Sequence, residues 1–217
     1  MKEYIIFDFD NTLVDSLGYW AKTEFKQLFI MYGKKPDKRF KKLKSGTSNA
    51  QAAQIFIDLA GVDITVEEVF EKTAEFMQHY YTHNVKMIKG AKEYLQSLKE
   101  QGKKIVIASA TQKELLMVAL KHFGLDWVDY VYSESTLNLG KNDVRFFESI
   151  LKDLNTTSEN VLLFEDSLTS VKNARKNNIE CISVIHKYNR KSKKEFKQVS
   201  TLTIKNYNDK KLKNLSI

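Results

Sequence analysis

Apolar residues in this chain come in two rhythms. Short unbroken runs predict buried strands at Tyr4–Phe9, Lys104–Ser109, Tyr130–Ser133, Val161–Phe164, Cys181–Ile185 and Leu202–Ile204. Between them apolar residues recur at spacings of three, four and seven, as Ala91, Tyr94, Leu95 and Leu98 do. That period predicts helices over Ala91–Glu100, Lys113–Phe123, Val144–Leu154 and Leu168–Asn177, with Gly102 and Gly124 where two of them should stop. Strands alternating with helices imply an α/β protein whose core is an open, doubly wound, Rossmann-like parallel sheet.

The stretch from Leu17 to Val85 breaks the alternation. It reads as consecutive helices, Leu17–Met31, Asp37–Leu43, Asn49–Leu59 and Val66–Tyr81, with a stripe of Phe25, Leu28, Phe29 and Tyr32 on the first. An all-helical insertion after the first strand predicts a second domain. The expected division is a core of residues 1–16 and 86–217 and an α-helical cap of residues 17–85. The hinges fall near Val14–Leu17 and Lys86–Gly90, with Gly61 and Gly90 as breaks and Pro36 opening a cap helix.

Composition narrows the class. The 217 residues are 42% hydrophobic and 29% charged, enough for a sizeable core in a soluble protein. No apolar run approaches the roughly 18–20 residues of a membrane helix, and the acidic start, Asp8, Asp10 and Asp15, lacks the form of a signal peptide. Cys181, the only cysteine, excludes an intrachain disulfide and fits a reducing cytoplasm. The net charge of +8 sits in the stretch from His186 onward, beside a second basic run at Lys34–Lys44. Neither run carries interleaved aromatics or a nucleic-acid-binding signature, so both read as solvated faces, with no nucleic-acid or membrane partner expected.

The first strand ends in chemistry. Asp8 and Asp10 follow Tyr4–Phe7 at alternate positions, and two like charges at the end of a buried strand need compensation. A divalent cation is the simplest one. The run D-F-D-N-T-L-V-D-S at Asp8–Ser16 is followed in order by I-V-I-A-S at Ile105–Ser109, Gly140-Lys141, and L-L-F-E-D-S at Leu162–Ser167. These four motifs resemble those of the haloacid dehalogenase-like superfamily, in its branch with a small helical cap that holds phosphoglycolate phosphatases and β-phosphoglucomutase.

The resemblance implies a Mg²⁺-dependent phosphatase acting on a small phosphorylated metabolite through an aspartyl-phosphate. It makes Asp8 the nucleophile and Asp10 the acid and base. Ser109 and Lys141 hold the phosphoryl group, with the Ala110 backbone beside them and Thr111 an alternative donor. Asp8, the carbonyl of Asp10, and Asp166 are the implied metal ligands, with Glu165 reaching the ion directly or through water. Asp10 disfavours carbon–halogen cleavage, because dehalogenating members lack that second Asp. Two departures weigh against the mutase alternative. Leu17-Gly18-Tyr19-Trp20 stand where the mutase has a histidine, and Gly46-Thr47-Ser48-Asn49 where it has an arginine. Lys22 and Lys26 sit in no motif that supports a phosphonatase. Asn142-Asp143 also replace the proline that often follows the motif lysine. Trp20, Thr47 and Asn49, with Tyr19, Ser45 and Ser48, are the candidates for substrate selection. The four histidines, His79, His83, His122 and His186, show no metal spacing and read as surface or packing residues. A non-catalytic protein binding an acidic partner is the reading from another class; both aspartates, intact, argue against it.

Overall fold

The computed structural model describes residues 2–44 and 47–215; Ser45 and Gly46, the first among the selection candidates, lie outside the described residues, as does the side chain of Phe25. The chain divides into two compact units, one of residues 1–15 and 86–217, the other of residues 16–85.

Strand β1 (Tyr4–Phe7) opens the first unit. It is shorter than the apolar run predicts. The Phe9 carbonyl accepts the Leu13 and Val14 N–H groups, so the chain turns away from the sheet at Asp8 although Phe9 is fully buried. Asn11 has φ 60°, a left-handed conformation that asparagine tolerates well. The two chain crossings into the insertion are tied together here. Asp15 N–H donates to the Lys86 carbonyl at 2.9 Å, and Ile88 N–H to the Leu13 carbonyl at 2.8 Å.

Among the described residues, every regular element of the second unit is a helix. Helices α1 (Leu17–Lys22) and α2 (Leu28–Met31) are joined by a π-helical turn, Thr23–Gln27. Helix α3 spans Arg39–Leu43, starting three residues beyond Pro36. Helices α4 (Asn49–Ala60) and α5 (Val66–His83) each open on a capping box, Ser48 with Gln51 and Thr65 with Glu68. Its core packs Leu28, Phe29, Phe40, Ala53, Phe56, Ala60 and Val69, with Phe29 edge-on to Phe56 at 4.9 Å.

The first unit resumes with α6 (Ala91–Glu100), β2 (Lys104–Ser109), α7 (Lys113–Phe123), β3 (Tyr130–Ser133), the short α8 (Glu134–Leu137) and α9 (Arg145–Asp153). It ends with β4 (Val161–Glu165), α10 (Leu168–Lys176), β5 (Glu180–Val184), α11 (Lys193–Val199) and β6 (Leu202–Ile204). Among the described residues these six strands form one sheet in the order β3-β2-β1-β4-β5-β6, all parallel. Helices flank it. On one face Ile6, Val106, Leu163 and Cys181 pack against Phe146, Phe147 and Ile150 of α9, Val171 of α10 and Phe196 of α11. The alternate residues point the other way, where Phe7 stacks on Phe164 at 4.7 Å and Tyr94 of α6 meets Phe164 edge-on. Among the described residues no helix is long and apolar enough to cross a membrane.

Candidate active site

Strand order reverses at β1, which lies between β2 and β4. In open parallel sheets the crevice at the carboxyl ends of the strands around such a switch point is where ligands bind. Register sets what arrives there. Phe7 is level with Ile107 and Phe164, so Asp8, Ser109 and the pair Glu165-Asp166 reach the same edge.

Lys141 comes to that edge on the loop between α8 and α9. Its N–H donates to Glu134 Oε1 at 2.8 Å and its carbonyl accepts from Asn173 Nδ2 at 3.3 Å, which fixes the backbone. The ammonium donates to Asp8 Oδ1 at 2.7 Å, Glu165 Oε2 at 2.7 Å and the Ala108 carbonyl at 2.9 Å. Three acceptors for three N–H bonds saturate the group, which is only 5% exposed. Burial works against its charge, but the Asp8 and Glu165 carboxylates outweigh it and hold the lysine above its ordinary pKa.

Asp8 is 6% exposed. Burial first, then the Glu165 carboxylate, push it up to about 7 against the pull of Lys141. Its Oδ2 is buried without a hydrogen-bond partner among the described residues. Leaving such an oxygen unpaired costs about 1–3 kcal/mol or more. Glu165 differs. Its Oε1 accepts the N–H groups of Asp166 at 3.1 Å and Ser167 at 2.9 Å, and its Oε2 holds Lys141. Asp166 turns one oxygen, Oδ2, to His186 Nε2 at 2.8 Å. Burial raises its pKa, with the His186 hydrogen bond opposing.

Asp10 stands two residues beyond Asp8, and its Oδ2 accepts from the Thr111 hydroxyl at 2.7 Å. Thr111 also donates its N–H to Ser109 Oγ at 3.1 Å. Ser109 therefore has an acceptor role filled and a proton to give. Ala110, between them, is half-buried.

Asp8, Glu165 and Asp166 each offer an oxygen within 4.8 Å of the others'. This carboxylate set, with an orphaned oxygen on Asp8, fits a hard divalent cation. His186 corrects the reading of the histidines: it is no surface or packing residue but touches a carboxylate of the cluster. The signal was its place one strand over, just past the carboxyl end of β5, a position that metal-spacing patterns do not interrogate.

Trp20, Thr47 and Asn49 belong to the helical unit. Trp20 Nε1 donates to the Tyr81 hydroxyl at 3.1 Å, Thr47 Oγ1 closes a turn onto the Lys44 carbonyl at 2.8 Å, and Asn49 is exposed at the first turn of α4.

The chain is an enzyme of the hydrolase class. It belongs to the haloacid dehalogenase-like hydrolases, whose family model matches residues 5–184. It is 24% identical over 189 residues to the phosphorylated carbohydrates phosphatase of Thermotoga maritima, covering 86% of this chain and 87% of the relative. Its fold is similar to that of CbbY from Rhodobacter sphaeroides in complex with phosphate, with TM-score 0.80, 16% identity and 96% of each chain covered. It is also similar to β-phosphoglucomutase of Clostridium difficile, with TM-score 0.75, 20% identity and 99% and 95% covered.

Proposed function

We propose that this chain is a Mg²⁺-dependent phosphatase that hydrolyses a small phosphate monoester through a phosphoryl group carried on Asp8. One observation carries the reading. The buried ammonium of Lys141 is spent on Asp8 and Glu165, yet the second oxygen of Asp8 keeps no partner. A structural ion pair would be better satisfied. A carboxylate held ready for a ligand explains the cost.

Asp8 attacks phosphorus, and the bond to the ester oxygen breaks. Asp10 gives its proton to the departing alkoxide. Water then attacks the phosphorus of the acyl phosphate, Asp10 takes the water's proton, and inorganic phosphate leaves as the Asp8 carboxylate is restored. Lys141 and the Ser109 hydroxyl stabilise the charge on the transferring group, each contact of this kind being worth about 2.7–4 kcal/mol. Asp8, the Asp10 carbonyl and Asp166 would hold Mg²⁺, which when bound neutralises the repulsion between phosphate and carboxylate. Glu165, with its oxygens engaged, serves by holding Lys141 in place. The helical unit acts as a cap, with Trp20, Thr47 and Asn49 in substrate selection.

The Thermotoga maritima relative is named for phosphorylated carbohydrates, which supports a sugar phosphate as the first substrate class to try. The test is hydrolysis of a panel of phosphate esters by wild type and by Asp8→Asn, with Mg²⁺ and with chelator. Wild type should turn over at least one ester only with Mg²⁺, and Asp8→Asn none. Turnover by a folded Asp8→Asn preparation sinks the covalent reading.

A further inference from the structure

The loop that follows β5 is tied to the ends of two strands by Asn189. The Asn189 side-chain amide donates to the Asp166 carbonyl at 2.8 Å and to the Val184 carbonyl at 2.9 Å. Its Oδ1 accepts the His186 N–H at 2.9 Å, and the Arg190 N–H returns to the His186 carbonyl at 3.1 Å. One asparagine thus clamps the carboxyl ends of β4 and β5 and fixes the backbone of His186. The imidazole is fixed as well. Tyr188 N–H donates to His186 Nδ1 at 3.1 Å, so Nδ1 is the acceptor and the ring proton sits on Nε2. Nε2 lies 2.8 Å from Asp166 Oδ2 and donates to it.

This histidine therefore works on one oxygen of one carboxylate. Oδ2 of Asp166 is occupied by a hydrogen bond, and Oδ1 has no hydrogen-bond partner among the described residues. A carboxylate pinned in this way presents Oδ1 freely, while a cation that takes both oxygens must share Oδ2 with the imidazole N–H. Mg²⁺ requires a near-ideal octahedron of single oxygens at about 2.0–2.1 Å, whereas Ca²⁺ takes about 6–8 ligands and readily accepts both oxygens of one carboxylate.

We infer that His186 is a positioning residue that leaves Asp166 one free oxygen and thereby biases the cation site toward Mg²⁺ over Ca²⁺. The inference rests on the metal-dependent reading above and adds to it the residue that sets ion preference. Outer hydrogen-bond partners of metal ligands are worth about 10- to 100-fold in metal affinity. Removing this one frees Asp166 to rotate, which a bidentate ligand needs and a monodentate one does not.

The test is ion binding by the full chain without substrate, measured calorimetrically for Mg²⁺ and Ca²⁺, with a melting curve for each variant. His186→Phe keeps a ring and removes both nitrogens. It should lose about 10- to 100-fold in Mg²⁺ affinity and distinctly less for Ca²⁺, so the Mg²⁺/Ca²⁺ preference contracts. His186→Gln restores a donor and should recover most of the preference. Asn189→Ala, which loosens the clamp while leaving His186 in the chain, should shift the preference in the same direction and keeps the test open if His186→Phe fails to fold. An unchanged preference in these variants overturns the inference, whether both ions bind as in wild type or both weaken in parallel with a lowered melting temperature. A wild-type chain that binds no Mg²⁺ overturns the metal reading and this inference together. A wild type that binds Mg²⁺, with the preference unmoved by the variants, overturns this inference alone.

Discussion

Lys141 Nζ lies 2.7 Å from Asp8 Oδ1 although 133 residues separate the two in sequence. The sheet brings the aspartate to the crevice as the end of β1, while the lysine arrives on a loop pinned by Glu134 and Asn173. Neither charge could be buried alone. The lysine is both a structural counterion and the cation that the proposed chemistry requires, which makes its removal informative.

Lys141→Met keeps the volume and deletes the ammonium. Asp8 and Glu165 are then buried without their cation, a loss of about 3–5 kcal/mol for breaking such a pair. Urea unfolding at pH 8 should register that loss. At pH 5 the deficit should shrink, because carboxyls that bind a proton no longer need the lysine. Turnover should fall by about 100-fold or more at either pH. A variant as stable as wild type at pH 8 would mean that Asp8 and Glu165 share their charge in some other way.

The proposed nucleophile gives the pH dependence. With burial and Glu165 holding Asp8 up to about 7, kcat/KM at limiting Mg²⁺ should rise with pH through a limb near that value, since only the ionised carboxylate attacks. A bound divalent cation favours the charged form, so saturating Mg²⁺ should move the limb to lower pH. Stability of the Mg²⁺-free chain should slope the other way. Between the ordinary carboxylate value and about 7 the folded chain keeps a proton that the unfolded chain has released, so this group's contribution is lost as pH rises through that window. A limb that stays in place at both Mg²⁺ levels would separate Asp8 from the metal.

What the sequence displays and what it hides follows from what each feature depends on. The six strands and the helical insertion depend on apolar rhythm, which a sequence displays. Strand ends follow from strand positions, so Asp8, Ser109 and Glu165 could be assigned to one edge of the sheet. Other features depend on three-dimensional detail. The apolar stripe of Leu17–Met31 predicts one helix, but a π-helical turn at Thr23–Gln27 interrupts it, with Leu28 N–H bonded to the Thr23 carbonyl. A single widened turn leaves no mark on a period of three and four. The double engagement of Glu165, by Lys141 on one oxygen and two backbone N–H groups on the other, depends on rotamers. His186 is invisible to spacing rules, because its partner lies 20 residues away across a strand pair.

Trp20 separates packing from recognition in the helical unit. Its indole N–H holds the hydroxyl of the fully buried Tyr81, while the ring itself is only half-buried. Trp20→Phe should cost about 1 kcal/mol in stability for the lost hydrogen bond. If Trp20 also contacts substrate, as proposed, the order of preference among several phosphate esters should change. Equal scaling of all esters, with a lowered melting temperature, would reduce Trp20 to a packing residue.

Thr111 tests Asp10 as the proposed acid and base. Its hydroxyl donates to Asp10 Oδ2 at 2.7 Å and so helps to orient that carboxylate. Thr111→Val preserves the branched shape and removes the donor. Losing about 1–1.5 kcal/mol of orientation corresponds to about a tenfold fall in kcat. The fall should depend on the leaving group. An alkyl phosphate expels a strongly basic alkoxide that must be protonated as it departs, so it needs Asp10 fully. An aryl phosphate such as p-nitrophenyl phosphate expels a stable anion and needs the acid little. Thr111→Val should therefore slow the alkyl ester severalfold more than the aryl ester, with Mg²⁺ affinity unchanged, because the proposed metal contact of Asp10 is its carbonyl. Equal slowing of both esters would instead place Thr111 with Ser109 in holding the phosphoryl group, since that role serves every ester alike.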